Sequence, residues 1–470
     1  MKLLVRPKPE KGESFIGYVV RLTELNGYDT PSWILSLCGI DYMELRWKFT
    51  FVFSLSDKLR NLAELTENPI TNLTSLLYLP TGSRERYGIE DEYNFNGAFL
   101  NRSIIRPHCP KICPKCLKES AYARRVWDCS LVTACPIHEC KLIDVCPKCK
   151  SRIRCVRNRL SVCSCGCDWR ETGAELLSQE ELAVSQRVYE LCDALPMRQH
   201  SSEEERDNPL HRLDLRDFVV VLTFISGLSG KMAWATGRPA RSIKLQNNDL
   251  HKLYTQAYSI FENWPQNFHQ FLQSYSKGES RFNPCDGKLR TALTKEFGPF
   301  YEYLYRDLNQ SQFDFIRNSF AEFLTNRLKS QCRDVGREPL PESFSETDKY
   351  ISLTEARRLL KITHRAMSDL IATRQVEFVI LNRGMALEYV VRLFDVQIVK
   401  DKFERALTTR GLAKELGVDC QVIEELAQAG YLQTRWRPAV DGYHTIKFDR
   451  DSVQELLNSG LIHNIATQTR

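Results

Sequence analysis

The sequence predicts a mainly α, multidomain protein. Three observations support this prediction: cysteine pairs crowded into one short segment, apolar residues at helical spacing on both sides of that segment, and an internal repeat near the C-terminus. In chain order we expect an N-terminal helix-turn-helix, two consecutive zinc-binding modules, a helical middle and a C-terminal tandem winged helix-turn-helix. The predicted domains are 1–105, 106–172, 173–335, 348–404 and 405–470.

The N-terminal domain is predicted from two pairs of short helices. Ser14 is a suitable N-cap for a helix that Asn26-Gly27 would end, and Thr30-Pro31 would open a second helix. In the first helix the apolar positions Phe15, Val19, Leu22 and Leu25 follow helical spacing, and in the second Trp33, Ile34 and Leu37 are expected to face inward. Further apolar positions predict another pair, over Leu59 to Leu65 and Leu73 to Leu77.

Cysteine and histidine spacing predicts two Zn²⁺ ions within residues 106–172. A two-residue gap lets both ligands of one tight turn face the same ion, and a structural zinc takes four such ligands. The first predicted ligand set is Cys113, Cys116, Cys135 and His138; the second is Cys146, Cys149, Cys163 and Cys165, with Cys167 as the reserve. Four side-chain ligands leave no position for a catalytic water, so these ions are expected to stabilise folding rather than to catalyse hydrolysis.

Disulfides or buried thiols are the alternative interpretation of these cysteines. No charged start followed by an apolar signal segment opens the chain, so we expect a cytoplasmic protein with reduced thiols. No apolar run approaches the roughly 18 residues of a membrane span, so no membrane partner is expected. Cysteines outside the pairing pattern are assigned to packing, as is Trp127; these are Cys109, Cys129, Cys140 and Cys155.

Positive charge is concentrated around the cysteine pairs. The whole chain has a net charge of +6, whereas residues 100–170 hold 15 Lys or Arg against 5 Asp or Glu, a difference of +10. Such a segment is typical of a surface that meets a polyanion, and a solvated basic face is the alternative. The candidate phosphate contacts are Arg152, Arg154, Arg157 and Arg159, which we expect on a hairpin.

Residues 173–335 are predicted to be largely helical. Their apolar stripes are typical of helices that face a core; examples are Phe218, Val221, Leu222 and Ile225, and Phe313, Ile316, Phe320 and Phe323. The polar run 201–206 predicts a linker, and the Pro- and Glu-rich run 336–347 predicts a domain boundary.

The last 120 residues contain two similar copies at an offset near 56, in which Leu360 matches Leu416 and Leu370 matches Leu426. Each copy is predicted to form a helix, a tight turn, a second helix and a strand pair, with strand turns at 382–384 and 441–442. This order predicts a tandem winged helix-turn-helix.

Charge distinguishes the two copies. The candidate recognition helix of the first carries His364 and Arg365, with Arg374 at its end, whereas the second carries Asp419, Glu424 and Glu425. Because a recognition helix in the major groove has phosphates on both sides, the first copy is expected to approach DNA and the second to pack or bind protein. The alternative is that both copies bind protein.

No enzyme class is supported by the sequence. The run Gly227-Leu228-Ser229-Gly230-Lys231 fails the spacing of a phosphate-binding loop, because Ile225 occupies the position of its first glycine. Scattered acids such as Asp91 and Glu92 could form a metal-dependent nuclease site only if the fold assembled them, and surface solvation is the simpler interpretation.

The chain resembles the TniQ/TnsD family of transposon target-selection proteins. The residues that carry the resemblance are Arg6-Pro7-Lys8-Pro9, Asn26-Gly27-Tyr28, Cys113-Pro114-Lys115-Cys116, Cys135-Pro136-Ile137-His138 and Cys146-Pro147-Lys148-Cys149. The resemblance covers residues 1 to about 170. The additional Cys167 departs from the family pattern and leaves the ligands of the second site open.

This resemblance implies a non-catalytic adaptor that recruits an AAA+ regulator, TnsC, which brings the transposase. In one branch of the family the target DNA is bound directly, and in RNA-guided relatives a homodimer sits on a CRISPR effector complex with its guide RNA. The N-terminal pattern is closer to the RNA-guided type. A free-standing zinc-containing DNA-binding transcription regulator is the alternative from another class.

Overall fold

The computed structural model describes residues 2–41, 58–80, 92–195, 207–228, 245–276, 289–331, 349–382, 387–432, 434–436, 446–448 and 450–458. The chain divides into two compact units, Met1–Phe271 and Leu272–Arg470. This division falls inside the predicted helical domain 173–335. The predicted linker 201–206 and the predicted boundary 336–347 lie outside the described residues.

The first unit begins with four short helices: α1 (Phe15–Leu25), α2 (Ser32–Leu37), α3 (Lys58–Thr66) and α4 (Ile70–Thr74). Helix α1 begins where the Ser14 side chain accepts the N–H of Gly17, and it ends at Asn26. Gly27 follows with a φ of 69°, a backbone conformation that glycine adopts without strain. Local capping therefore sets both ends of α1, as the sequence predicts.

The orientation expected for α2 is wrong in part. Ile34 and Leu35 are buried, but Trp33 and Leu37 are 60% and 40% exposed. Residues 33 and 37 are one helical turn apart and share a face, whereas the buried face is formed by Ile34, Leu35 and Cys38. A six-residue helix contains too little of the apolar period to indicate which face is buried.

Two small hairpins and a short helix follow. Strands β1 (Glu92–Phe95) and β2 (Ala98–Asn101) pair antiparallel, as do β3 (Ala134–Cys135) and β4 (Cys140–Lys141). Helix α5 (Pro114–Glu119) lies between the hairpins in sequence, and short 3₁₀ turns cover Arg125–Asp128 and Trp169–Glu171. The cysteine-rich segment therefore forms short elements that have little core of their own.

A buried polar network ties this segment to the N-terminal helices and the first hairpin. The Arg125 guanidinium donates to the carbonyl oxygens of Leu77 and Asn94, both at 3.0 Å, and lies over the ring of Tyr78. The Tyr78 hydroxyl donates to Asp128 Oδ2 at 2.6 Å. Because buried polar groups must find partners, these bonds fix how the segment sits on the helices.

Helices α6 (Gln179–Leu191), α7 (Leu215–Leu228) and α8 (Asn247–Ser259) follow in the first unit, and α9 (Gln266–Tyr275) contains the point at which the chain passes from the first unit to the second. Ser185 Oγ on α6 accepts the N–H groups of Thr133 and Ala134, both at 3.0 Å. Trp127 Nε1 donates to the Tyr189 hydroxyl at 2.8 Å. Trp127 is thus a core residue, as predicted. Helix α6 packs against the cysteine-rich segment and is hydrogen-bonded to it.

The second unit contains a helical part rich in aromatic side chains. Its helices are α10 (Leu289–Phe297), α11 (Pro299–Arg306) and α12 (Asp314–Gln331). Phe320 packs edge-on against Phe297 and Phe300, with ring centroids 5.0 and 5.2 Å apart. The predicted apolar stripe of α12 is therefore a core stripe.

Two copies with one order of helices and strands complete the second unit, and we call them the first and second winged copies. The first copy consists of β5 (Tyr350–Ser352), α13 (Leu353–Leu360), α14 (His364–Ala372), β6 (Phe378–Asn382), β7 (Leu387–Arg392) and α15 (Leu393–Arg405). The second consists of β8 (Leu407–Thr408), α16 (Thr409–Leu416), α17 (Cys420–Gln428), β9 (Thr434–Trp436), β10 (Lys447–Phe448) and α18 (Arg450–Asn458).

The two copies share one topology. Their antiparallel sheets have the orders β5-β7-β6 and β8-β10-β9. Helices α14 and α17 begin at residues 364 and 420, which are 56 positions apart, as are the starts of β6 and β9 at 378 and 434. The turn predicted at 441–442 and most of the turn predicted at 382–384 lie outside the described residues.

Helix α12 covers the outer strand of the first copy. Ile380 donates its N–H to Thr325 Oγ1 at 2.9 Å, and Asn382 Nδ2 donates to Asn318 Oδ1 at 3.0 Å. Lys329 forms an ion pair with Glu377. Strand β6 is an edge of its sheet, and these contacts satisfy or shield polar groups that would otherwise face solvent.

Among the residues described, no helix has the length and apolar character needed to cross a membrane.

Candidate metal centres

The first cluster joins the start of α5 to the turn between β3 and β4. Cys113 is the N-cap of α5, and its Sγ accepts the N–H of Cys116 at 3.4 Å. Cys135 ends β3 and His138 lies in the following turn. One ligand atom from each of the four predicted residues lies within 4.8 Å of the others.

The distances in this first cluster suit a tetrahedral ion. Cys116 Sγ lies 3.6 Å from Cys135 Sγ, and His138 Nδ1 lies 3.3 and 3.6 Å from those two atoms. Zn–S bonds of about 2.3 Å and Zn–N bonds of about 2.0 Å, at tetrahedral angles, separate the ligand atoms by about 3.5 to 3.8 Å. The donor atoms therefore fit one metal ion without rearrangement.

Glu119, at the end of α5, orients the histidine of the first cluster. Its Oε1 lies 2.8 Å from His138 Nε2, so that Nδ1 points to the three sulfurs. Carboxylates that hold the second nitrogen of a ligating histidine fix its tautomer. Glu119 is not among the residues predicted from the cysteine spacing, although its position three residues after Cys116 was an available signal.

Cys140 lies against the first cluster, and its contact goes beyond the packing role assigned from sequence. Its Sγ is 3.7 Å from Cys113 Sγ, and the residue is fully buried on β4. Hydrogen bonds from Cys116, Cys135 and Cys140 lower the pKa of the Cys113 thiol.

The second cluster is built from two tight turns. Cys146 Sγ lies 3.8 Å from Cys165 Sγ, and Cys149 Sγ lies 3.7 Å from Cys163 Sγ. All four sulfurs lie within 4.8 Å of one another. These separations match the edge of a zinc–thiolate tetrahedron, which is about 3.8 Å. The structure thus groups Cys163 and Cys165 with the first pair, the set that the sequence analysis favours over Cys167.

The two clusters differ in exposure. In the first, Cys113, Cys116 and Cys135 are at most 1% exposed. In the second, Cys146 is buried, but Cys149 and Cys165 are exposed. Both groups could hold a metal ion, and only the second contains exposed cysteines.

The arginines between the halves of the second cluster do not share one role. Arg152, Arg154 and Arg159 are exposed. Arg157 instead donates to the Leu160 carbonyl from Nη2 at 2.9 Å and lies 5.6 Å from the ring of Trp169. Burial lowers the pKa of Arg157 to about 10.

Arg152 lies on a short hairpin, whereas Arg154, Arg157 and Arg159 lie in the irregular loop that follows it. Val145 and Arg152 form an antiparallel bridge, flanked by backbone hydrogen bonds from Cys146 N–H to Ser151 O and from Ile153 N–H to Asp144 O. Arg157 folds back onto the main chain of this loop and stabilises it from inside, so it is not available as the fourth exposed arginine.

The candidate DNA-contacting residues of the first winged copy lie around α14. His364 and Arg365 are exposed in its first turn, immediately after the N-cap Thr363. Arg374 has a φ of 54° and donates from Nη2 to the Lys329 carbonyl at 3.2 Å. The structure thus brings His364 and Arg365 together and places Arg374 at the opposite end of the helix, against α12.

Two basic residues next to α14 were missed by the sequence analysis. Arg358 near the end of α13 and Lys361 in the turn are both exposed, close in sequence to His364 and Arg365. In the second copy, 56 positions later, their equivalents are Lys414 and Gly417. Aligning the two copies would have revealed that Lys361 is replaced by Gly417, while Arg358 and Lys414 are both basic.

Among the described residues, the acids considered for a nuclease site form no group that could hold a metal ion. Glu92 forms an ion pair with Arg216, and Asp91 lies outside the described residues. In the part of the chain that the structure describes, the two cysteine clusters are the groups with suitable metal-ligand geometry.

Comparison with known proteins gives one family match. The TniQ family model matches residues 4–142. This range includes the N-terminal helices and all four residues of the first cluster, and it ends before the second cluster and both winged copies. No curated protein matches the chain.

Proposed function

We propose, from the premise that the chain belongs to the TniQ family, that it is a non-catalytic adaptor for DNA transposition. Membership of the family indicates a role in the selection of transposition targets. The proposed task is to link recognition of a target to recruitment of an AAA+ regulator, TnsC, and through it the transposase. The observation that carries this proposal is the family match over residues 4–142, which includes the complete first cluster.

Zinc is the proposed occupant of both clusters. The first offers three thiolates and one imidazole, and the second offers four thiolates, which are the donor sets of structural zinc sites. Four protein ligands at each ion leave no position for an activated water. The ions would therefore hold the short elements of residues 106–172 together, which agrees with a role as an adaptor rather than a hydrolase.

Metal binding changes the charge of the basic segment. Residues 100–170 have a difference of +10 between basic and acidic side chains. Seven cysteine thiolates would contribute −7 and two Zn²⁺ ions +4, so the loaded segment would keep a formal charge of +7. The segment stays positive, which supports contact with a polyanion through Arg152, Arg154 and Arg159.

The first winged copy is the proposed DNA-binding module. Four exposed side chains, Arg358, Lys361, His364 and Arg365, surround the turn and the start of α14. In a helix-turn-helix, this part of the second helix enters the major groove, and neighbouring cations contact phosphates. The equivalent positions of the second copy are Lys414, Gly417, Cys420 and Gln421, which supports a protein-binding role for that copy.

Co-purification tests the adaptor proposal. The full chain would be expressed together with TnsC, with and without a CRISPR effector complex and its guide RNA. We expect TnsC to be retained; retention of the effector would assign the RNA-guided mode, and retention of target DNA alone the direct mode. Failure to bind TnsC in every combination, together with sequence-specific binding to a promoter, would favour the transcription regulator instead. The same samples measured by light scattering report whether the chain is a homodimer.

A further inference from the structure

We propose that the second cluster is an exchangeable zinc site, in which Cys167 acts as an incoming fifth thiol, while the first cluster retains its ion. The inference rests on the proposal that both clusters hold zinc. It is independent of TnsC and of DNA, because it concerns only how each ion leaves.

Access to the ligand atoms differs between the clusters. A chelator or a competing thiol must approach a zinc ion closely before a ligand leaves. In the first cluster the three cysteines are at most 1% exposed, so the protein blocks approach to these three residues, and only the half-buried His138 is accessible. In the second cluster Cys149 and Cys165 are exposed to solvent. Exchange is therefore expected at the second ion first.

The loop 163–167 places a spare thiol beside a ligand thiol. Cys163 donates its N–H to the Cys167 carbonyl at 2.9 Å, and the flanking residues Val162 and Asp168 form an antiparallel bridge. Gly166, with a φ of 83°, allows the tight reversal between them. Residues opposite one another in such a pair have Cα atoms about 5.5 Å apart and side chains on one face.

This arrangement gives five thiols for four coordination positions. Cys167 is not one of the four grouped ligands, yet its backbone faces that of the ligand Cys163. Zn²⁺ has no geometric preference from its d electrons and can expand briefly to five ligands. In the exchange, a Zn–S bond to Cys167 forms as the bond to Cys163 breaks. The proton of the Cys167 thiol passes through water to the released Cys163 thiolate, so ligand number and charge are conserved.

The first cluster also has a fifth sulfur, but it is placed differently. Cys140 lies 3.7 Å from Cys113 Sγ and is fully buried. Its backbone is held in β4, directly paired with the ligand Cys135. It can donate an S–H hydrogen bond to Cys113, but it cannot carry an ion toward solvent. Cys140 and Cys167 are thus a matched pair for comparison.

Exchange of a zinc ligand in the second cluster would affect the loop between the pair Cys146 and Cys149 and the pair Cys163 and Cys165. Leu160, in this loop, donates its N–H to Glu24 Oε2 at 2.9 Å, which connects the loop to α1. Arg152, Arg154 and Arg159 are exposed on the same segment. The second ion would therefore hold this segment together with the Leu160–Glu24 bond and the contacts of Arg157.

The test is the kinetics of zinc release from the full chain. Elemental analysis first establishes two zinc ions per chain; a smaller number would contradict the zinc proposal rather than this inference. An excess of the chromophoric chelator 4-(2-pyridylazo)resorcinol is then added, and absorbance is followed. We expect one ion to leave in a fast phase and one in a slow phase. Cys167→Ser is expected to slow the fast phase by about tenfold, or about 1.4 kcal/mol in the barrier, without loss of bound zinc.

Cys140→Ser and Cys420→Ser are the controls, and both are expected to leave the fast phase unchanged. Cys167→Ala serves as a second variant, and circular dichroism checks that each variant is folded. Release of both ions in one phase would overturn the inference. An unchanged fast phase in both Cys167 variants would do so as well, and retention of a single ion by them would make Cys167 a resident ligand instead.

Discussion

Glu119 and His138 form a carboxylate–imidazole pair in which Nε2 lies 2.8 Å from Oε1. The pair turns Nδ1 toward Cys113, Cys116 and Cys135, at 3.3 to 3.6 Å. Glu119 is not itself one of the four candidate ligands. It fixes the orientation of His138, which supplies the fourth donor atom of the first cluster.

Glu119→Ala should weaken zinc binding at the first cluster. The imidazole would lose the group that fixes its tautomer, and loss of such partners reduces metal affinity by about 10- to 100-fold. Because Glu119 is 61% exposed, we expect a value near the lower limit. Chelator competition measures the affinity, with Glu171→Ala as the control for an exposed carboxylate in the same region. Equal zinc affinity in the two variants would contradict the role of Glu119.

Tyr189→Phe should destabilise the first unit. Trp127 is 1% exposed, and its Nε1 donates to the Tyr189 hydroxyl at 2.8 Å. Removing the acceptor leaves a buried N–H without a partner, which costs about 1–3 kcal/mol. Urea denaturation at fixed free zinc measures the free energy of unfolding. Tyr122→Phe, which alters a less buried hydroxyl, is the control, and a loss no larger than that of the control would count against the prediction.

Lys111 should make stability depend on pH in the alkaline range. Its Nζ is buried and donates to the carbonyl oxygens of Cys129 and Val132, and burial lowers its pKa to about 8. The unfolded chain, with an ordinary pKa of about 10.4, binds more protons than the folded chain above pH 8. The free energy of unfolding should therefore rise with pH, by about 1–2 kcal/mol between pH 8 and 9.5.

This pH dependence is measured by denaturation at several pH values with free zinc held constant. Lys111→Met removes the ionisable group and should remove the rise. If the variant shows the same rise as the parent protein, other groups are responsible.

Arg365→Glu should weaken DNA binding through the first winged copy. The side chain is exposed in the first turn of α14, and reversing its charge replaces attraction to phosphate by repulsion. Affinity for duplex DNA is measured against salt concentration, with a slope of about −0.9 per phosphate contacted. We expect lower affinity and a shallower slope. Lys414→Glu, a charge reversal at the exposed position of the second copy that corresponds to Arg358, is the control and should have little effect; if it equals Arg365→Glu, the assignment of the two copies fails.

Local rules account for the parts of the fold that the sequence predicts well. The cap at Ser14 and the turn at Gly27 depend only on neighbouring residues, and both lie where expected. The two ligand groups also follow from short spacings, because each pair lies in one tight turn. The repeat offset of 56 recurs in the starts of α14 and α17 because each copy encodes its own small core.

Contacts between distant segments account for what the sequence analysis missed. The exposure of Trp33 depends on which helix face meets a neighbour, and a single short helix does not encode that. Arg157 turns inward because Trp169, twelve positions later, offers a ring for its guanidinium. The contact of Cys140 with Cys113 joins residues 27 positions apart. None of these contacts follows from spacing within one segment.

Because α12 covers β6, a C-terminal fragment prepared for experiments should include α12. A fragment that starts at residue 348 would lack Thr325, which accepts the N–H of Ile380, and Asn318, which accepts from Asn382. Its outer strand would then be open to pairing with the same strand of another molecule, and such a fragment should self-associate. A fragment that begins at residue 289 would keep this shield, and is the shorter piece suited to isolated study.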